Sequence, residues 1–206
     1  MPEQQRYARL PAFILGFHGC DRSLAEDLFC GKVSDIKPSA NDYDWLGRGS
    51  YFWENSPLRA LEWAQAMVGK PRRSSPTITT PAVVGAIIDP GNCLDFMDRR
   101  AVELAQYQYR QIVDECQDLG KKLPQNTNPP QMAGSPDRVY RRLDRAVIEA
   151  IHQTARAADL PAFDTVRAVF LEGTEIYPGA GFLERTHIQI CVRNPAQIIG
   201  YFRPRV

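Results

Sequence analysis

Short apolar runs near both ends of the chain predict strands. A continuous run over residues 12–17 leads into His18 and Gly19, and a similar run covers residues 82–88. Runs of this length that end at turn residues are typical of buried strands. Shorter or alternating patterns predict further strands at residues 51–53, 166–171, 186–192 and 197–202.

Helix signals follow the first two predicted strands. Ser23 with Glu26 three residues later predicts a capping box, and Gly31 predicts the end of that short helix. Ser56, followed by a proline, predicts the start of a second helix that runs to about Met67.

Residues 94–160 are mainly helical in pattern. Apolar residues keep helical spacing from Val102 to Cys116, and the proline after Ser135 predicts the start of another helix. A sheet built from both ends of the chain around a helical middle predicts an α+β fold. We therefore expect a single domain over residues 1–206, with a helical insertion at about 94–160.

Composition narrows the function classes. The 206 residues are 44% hydrophobic, and 25 basic against 24 acidic residues leave a net charge of +1, so no overall field favours a nucleic acid or a membrane. No apolar run approaches the roughly 20 residues that span a bilayer. Five dispersed cysteines without a CxxC pair indicate neither a disulfide framework nor a zinc site. We expect a cytoplasmic protein with reduced thiols, no metal and no membrane partner.

Three segments carry candidate chemistry. His18 and Gly19 end the first apolar run, and two glycines precede an aromatic strand in residues 46–52. In the third segment, alternation places His187 and Gln189 on the same face of a strand. Each segment alone has an ordinary structural explanation: a hydrogen-bonded core histidine, a turn, or a half-exposed strand. Their occurrence together, in this order, is what indicates function.

Taken together, these segments resemble the ADP-ribosyltransferase family, in the histidine–tyrosine–glutamate branch that contains diphtheria toxin and the poly(ADP-ribose) polymerases. Residues 17–20 (Phe-His-Gly-Cys) look like the first family motif, and residues 46–52 (Leu-Gly-Arg-Gly-Ser-Tyr-Phe) are similar to the family's glycine–basic–glycine–x–tyrosine–phenylalanine segment. Residues 186–192 fall where the family's catalytic strand lies. The resemblance covers residues 12–67 and about 165–203, and it implies an ADP-ribosyltransferase-like split β-sandwich.

The resemblance also implies roles in binding NAD. His18 would donate to a ribose hydroxyl, and the backbone of Gly19 would hold the nicotinamide carboxamide, which a Cβ would obstruct. Tyr51 would stack on the nicotinamide ring, with Trp63 as a second wall. The remaining expected NAD-binding residues are Cys20, where many relatives carry Ser or Thr, and Gly49.

The third motif departs from the family pattern, because Gln189 stands where the family usually carries Glu. That glutamate holds the ribose 2′-hydroxyl and offers negative charge to an oxocarbenium-like transition state. Gln189 retains the hydrogen bonds but supplies no charge. We expect a nearby carboxylate to complete the catalytic set of His18, Tyr51 and Gln189. Glu184 is the first choice, and Glu172 and Glu175 are the alternatives.

The expected activity is transfer of one ADP-ribose unit from NAD to a macromolecule, with release of nicotinamide. A protein acceptor is favoured over a nucleic acid, although one helical side is rich in basic residues. These are Arg138, Arg141, Arg142 and Arg145. By analogy, we expect a bacterial toxin, effector or defence protein with an antitoxin or immunity partner.

Two other functions stay open at this point. The first is a non-catalytic module that binds NAD or ADP-ribose, which the uncharged Gln189 favours. The second is an enzyme of the same fold that modifies RNA. Release of nicotinamide separates an enzyme from a binding module.

Overall fold

Strands dominate the two ends of the chain and helices dominate its middle. The computed structural model describes residues 13–39, 41–70, 77–135 and 137–205. Among these residues the strands are β1 (Ile14–Asp21), β2 (Ser50–Glu54), β3 (Pro81–Ile88), β4 (Cys93–Asp95), β5 (Asn126–Thr127), β6 (Tyr140–Arg141), β7 (Thr165–Phe170), β8 (His187–Val192) and β9 (Ile198–Phe202). The α-helices are α1 (Arg22–Phe29), α2 (Pro57–Ala66), α3 (Arg99–Asp118) and α4 (Arg142–Ala157).

The local capping signals predict the start of α2 correctly but assign the wrong cap to α1. α2 starts at the proline after Ser56, as predicted, and ends one residue before Met67. The capping box predicted at Ser23 is wrong, because Asp21 is the N-cap of α1 and accepts from the Ser23 backbone N–H at 2.9 Å. Asp21 also accepts from the backbone N–H groups of the loop before β3. A carboxylate with several such donors outcompetes a serine hydroxyl for the cap.

The helix predicted from Ser135 begins later than expected. α4 starts at Arg142, because the preceding residues form the β5–β6 hairpin. The Asn126 side chain of that hairpin accepts from the backbone N–H of Leu143 at 3.0 Å and satisfies the first turn of α4. This capping residue is distant in sequence, so a local pattern could not reveal it.

Seven strands form one mixed sheet in the order β4-β7-β8-β2-β1-β3-β9. Neighbouring strands are antiparallel except β4 and β7, and the mixed α/β architecture is consistent with the predicted α+β class. β1 pairs with β3 along its whole length. It pairs with β2 at only two positions, Gly16 with Glu54 and Phe17 with Trp53. We call this narrow junction between β1 and β2 the seam.

Helices cover both faces of the sheet. On one face, α1 buries Ala25 and Leu28 in a core that includes Phe52 of β2. On the other face, α2 packs Ala60 against β1, β2 and β3, while α4 packs Ile148 against β7 and β8. The predicted helical insertion therefore covers one end of one sheet face, beside the seam.

An ion cluster joins strands on either side of β8. Arg167 on β7 donates two hydrogen bonds to Glu54 on β2, at 2.6 and 2.9 Å, and lies 3.1 Å from Asp95 on β4. The two-pronged contact is the strong form of an arginine–carboxylate pair. The cluster therefore connects three strands, β2, β7 and β4, and spans β8.

Within the described ranges, no helix combines the length and the apolar character that crossing a membrane requires. The same ranges contain no group of three His, Cys, Asp or Glu side chains that could hold a metal ion.

Gly19 has a packing role in the fold. A Cβ at this position would lie against the Ala60 carbonyl oxygen of α2, closer than real Cβ atoms come to a backbone atom. The missing side chain therefore lets α2 rest directly on β1, in addition to any role that Gly19 has toward a ligand.

We expect Gly19→Ala to lower the free energy of unfolding by about 1–3 kcal/mol, because the α2 backbone must shift to admit the methyl group. Gly200→Ala is the matched control: it also lies in a strand, but its added Cβ meets open space, so stability should be unchanged or slightly higher. Urea unfolding followed by circular dichroism measures both variants. Equal stabilities would contradict the close packing of α2 on β1.

Candidate functional site

The seam lies at the first two sequence motifs. Beyond the Phe17–Trp53 pair, β1 continues beside β3 and β2 continues beside β8. The His18 ring bridges the two strands, with Nδ1 2.8 Å from the Tyr51 carbonyl oxygen. Since a carbonyl only accepts, Nδ1 carries the proton, and Nε2 of the neutral ring is an acceptor. The expected donation from His18 to a ribose hydroxyl therefore requires the protonated ring.

The Tyr51 hydroxyl is committed to the loop that precedes β2. It donates to the Gly47 carbonyl at 2.7 Å and accepts from the Leu46 N–H at 3.0 Å. Burial raises the pKa of Tyr51 well above its ordinary value. Acid–base chemistry at this hydroxyl is therefore disfavoured, and stacking by the ring stays the predicted role.

Two other predicted binding residues are packed into the protein. A Cβ on Gly49 would lie 2.5 Å from Cys191 Sγ and 2.6 Å from the Val192 carbonyl oxygen, so this glycine lets its loop approach β8. Cys20 is 1% exposed and belongs to the core that α1 covers. A ligand could therefore contact Cys20 only through its backbone.

Trp63 and Trp53 form an aromatic pair beside Gly19. The Cβ position of Gly19 lies 3.1 Å from Trp63 Cε3, and the two tryptophan rings are 5.6 Å apart at their centroids. The Trp53 ring lies 6.0 Å from that of His187, and Trp53 Nε1 is buried without a hydrogen-bond partner among the described residues. Trp63, which we expected to form the second wall around the nicotinamide ring, thus belongs to an aromatic cluster with Trp53 and His187. The sequence motifs did not indicate a role for Trp53.

Gln189 is oriented by a tryptophan from the loop before β2. Its Oε1 accepts from Trp45 Nε1 at 2.7 Å, and because an indole N–H only donates, the amide oxygen must face Trp45. The Arg141 guanidinium packs over the rings of Trp45 and Phe170, 5.3 and 4.3 Å from their centroids. Because the amide oxygen of Gln189 faces Trp45, the amide N–H groups point away from Trp45. The motifs do not include Trp45; its sequence signal is its position directly before the glycine-rich turn.

His187 is a buried neutral base at the start of β8. Its Nδ1 donates to the Arg185 carbonyl at 2.7 Å, while Nε2 is buried without a partner in the described part of the chain. Burial is the main cause that lowers the pKa of His187 to about 4, and the positive charge of Arg59 adds to it. The ring stacks on Phe170, with centroids 5.4 Å apart. His187 therefore adds an unpaired acceptor to the aromatic cluster at neutral pH.

Glu172 is the carboxylate that lies beside this cluster. It accepts from Arg59 at 3.1 Å, and it lies 3.5 Å from Arg185 and 4.0 Å from His187 Nδ1. Its side chain is only 19% exposed. Phe170 at the end of β7 pairs with His187 at the start of β8. Glu172 follows Phe170 by two positions and therefore lies beside the start of β8.

Glu184, the first choice from the sequence, stands apart from these contacts. It is exposed, and its carboxylate makes no hydrogen bond or ion pair within the described ranges. Glu175 accepts from the Gly179 N–H at 2.8 Å inside its own loop. Of the three candidate carboxylates, Glu172 is therefore the one that lies against His187.

The prediction that four arginines share one helical side is wrong, because only Arg142 and Arg145 lie in α4, whereas Arg141 belongs to β6 and Arg138 precedes it. Arg142 forms a 2.9 Å ion pair with Asp42, and Arg141 stacks on aromatic rings as described above. Arg145 has a buried terminal nitrogen without a partner among the described residues. These contacts attach α4 to its neighbours, and binding of a nucleic acid stays a prediction.

Two cavities lie in the half of the structure that contains β7. One, of about 490 Å³, lies between α3, α4 and β7 with Trp45 in its wall; the other, of about 500 Å³, lies beside the loop between β7 and β8. Arg141 lines both, whereas His18, Tyr51 and Gln189 line neither. Neither of these two cavities therefore coincides with the predicted site residues.

Comparison with known proteins identifies a distant relative. The chain is 26% identical over 196 residues to the uncharacterized protein MJ0359 of Methanocaldococcus jannaschii, and the alignment covers 88% of this chain and 83% of the relative. An alignment of that extent includes the helical middle of the chain. No protein-family model matches the chain, and no solved structure matches it.

Two buried histidines make stability depend on pH. Burial lowers the pKa of both His187 and His152 to about 4, whereas an unfolded histidine titrates near 6.5. Between these values the unfolded chain binds more protons than the folded one. Stability is therefore complete above pH 6.5 and falls as the pH drops toward 4.

His187→Gln removes one of these two titrating groups while keeping a polar side chain. Between pH 6.5 and 5, we expect the unfolding free energy of this variant to fall less steeply than that of the wild type, by roughly 1 kcal/mol per pH unit. Lys121→Gln, an exposed substitution, should keep the wild-type slope. Chemical denaturation at several pH values measures the slopes, and an unchanged slope in His187→Gln would show that this ring is already protonated in the folded protein.

Proposed function

We propose that the chain is an ADP-ribosyltransferase-like split β-sandwich that transfers one ADP-ribose unit from NAD to a macromolecular acceptor and releases nicotinamide. The observation that carries this proposal is the seam. Motif residues far apart in sequence, His18, Tyr51 and Gln189, lie on the neighbouring strands β1, β2 and β8. The narrow β1–β2 junction also nearly divides the sheet into two groups of strands, which a split sandwich requires.

The proposed reaction breaks the bond between ribose C1′ and the nicotinamide nitrogen, and the electron pair leaves with nicotinamide. A nucleophile of the acceptor then bonds to C1′ and loses its proton. The protein must hold the leaving group and stabilise positive charge on the ribose. Trp53 and Trp63 offer aromatic faces to a planar cationic ring, and the Gln189 amide offers donors to ribose hydroxyls.

Glu172 supplies the negative charge in this proposal. Arg59 and Arg185 hold its carboxylate beside His187, which shares a strand face with Gln189. Its low exposure strengthens its effect on a positive charge, because the interaction of charges grows as the local dielectric falls. Glu172 thus takes the role for which the sequence favoured Glu184.

The wider setting belongs to the same proposal and rests on the resemblance. It comprises a cytoplasmic toxin, effector or defence protein, a protein acceptor, and an antitoxin or immunity partner. Incubating a cell lysate with the protein and NAD labelled in its adenylate would identify the acceptor. Label on RNA instead of protein would favour the RNA-modifying alternative.

Two matched variants test which carboxylate takes part. We expect Glu172→Gln to lower nicotinamide release by about tenfold or more, the loss expected when one electrostatic contact to the transition state is removed. Glu184→Gln should stay close to the wild type, because its exposed carboxylate makes no hydrogen bond or ion pair with a described residue. Chromatography of nicotinamide at one NAD concentration measures both, and melting temperatures show whether each variant is folded. Loss of release in Glu184→Gln alone would contradict the assignment to Glu172.

The second candidate function, a non-catalytic binding module, is favoured by the uncharged Gln189 in its fixed orientation. Gln189→Glu tests it, because the new carboxylate would restore charge at the third motif position. As an enzyme, the wild type releases nicotinamide, and Gln189→Ala nearly abolishes that release. As a binding module, the wild type binds NAD in calorimetry without releasing nicotinamide, and only Gln189→Glu gains activity.

A further inference from the structure

The cavity between α3, α4 and β7 has no part in the proposed function. Its volume of about 490 Å³ is within the range of small-molecule sites. Its lining is apolar except for Gln106, Arg141 and Asp144. Since protein interiors are close-packed, a space of this size beside a buried core is a candidate ligand site.

The side chains around the cavity leave apolar surface in water. Met97, Val102 and Tyr109, which lead into or belong to α3, are 53%, 38% and 40% exposed. A hydrophobic molecule in the cavity would cover part of this surface, and that burial favours binding.

Arg141 gives the cavity a positive end. Its Nε donates to the Arg138 carbonyl at 2.9 Å, but its contact with Asp144 is long, at 3.4 Å. Asp144 has a closer partner in Asn126, at 2.8 Å. Arg141 is also the residue that precedes α4, so the positive end of the helix dipole adds to its charge. An acidic group of a ligand could therefore replace the long contact with Asp144.

We propose that this cavity binds a small hydrophobic molecule that carries a flat ring and one acidic group. The ring packs among Trp45, Phe96 and Tyr109, and the acidic group pairs with Arg141. Trp45 also holds Gln189, so the cavity shares a wall with the candidate functional site. Binding in the cavity does not depend on whether the chain uses NAD.

Fluorescent probes test the chemistry of the ligand. We expect anilinonaphthalene sulfonate, which has flat rings and an acidic group, to bind the wild type about tenfold more tightly than uncharged phenylnaphthylamine. Arg141→Met should abolish that preference. Arg142→Met is the matched control, because Arg142 pairs with Asp42 and does not line the cavity. Equal affinities for the two probes in the wild type, or no binding of either, would overturn the proposal.

A second pair of variants tests the location. Ala105→Phe fills the cavity and should weaken both probes by about tenfold, whereas Gln111→Phe adds the same ring at an exposed position of α3 and should not. Unchanged probe binding in Ala105→Phe would place the site elsewhere and overturn the proposal. So would sedimentation showing a dimer of this chain that Ala105→Phe dissociates, because the occupant would then be a second copy. If Ala105→Phe does not fold, the two arginine variants decide the question.

Discussion

The hydrogen bond between His18 and the Tyr51 carbonyl links β1 to β2 where their backbone ladder stops. On one side of this seam, β1 continues with β3 and β9; on the other, β2 continues with β8, β7 and β4. The bond also decides the chemistry of the histidine, because it places the proton on Nδ1. Tyr51 also links the sheet to the glycine-rich loop, because its hydroxyl donates to the Gly47 carbonyl.

Unpaired polar atoms collect around the aromatic cluster next to the seam. Trp53 Nε1, Arg59 Nε and His187 Nε2 are buried without a hydrogen-bond partner among the described residues. Leaving such groups unpaired costs stability, and most buried polar groups in proteins are paired. Arg59 and His187 both lie beside Glu172, and Trp53 lies beside His187, so these three unpaired atoms belong to one cluster. The proposed function assigns its ligand to this part of the sheet.

The helical middle completes the core beside this site. α4 packs on β7 and β8, and the loop before β2 connects α4 to Gln189 through Arg141 and Trp45. The similarity to the relative from Methanocaldococcus jannaschii includes these helices. The helical middle shares side-chain contacts with the sheet, and it brings the cavity under α3 close to the candidate site.

Local patterns in the sequence determined most strands and the start of α2, because apolar periodicity and proline at a helix start act over a few residues. The candidate residues His18, Tyr51 and Gln189 rest on the family resemblance and stay predictions. The tertiary structure decided the start of α4, which depends on a cap from Asn126, and the tautomer of His18, which depends on a carbonyl across the seam. It also placed Glu172, and not Glu184, beside His187. The sequence separation from Gln189 could not show which of these two carboxylates lies beside His187, because the pairing of β7 with β8 decides it.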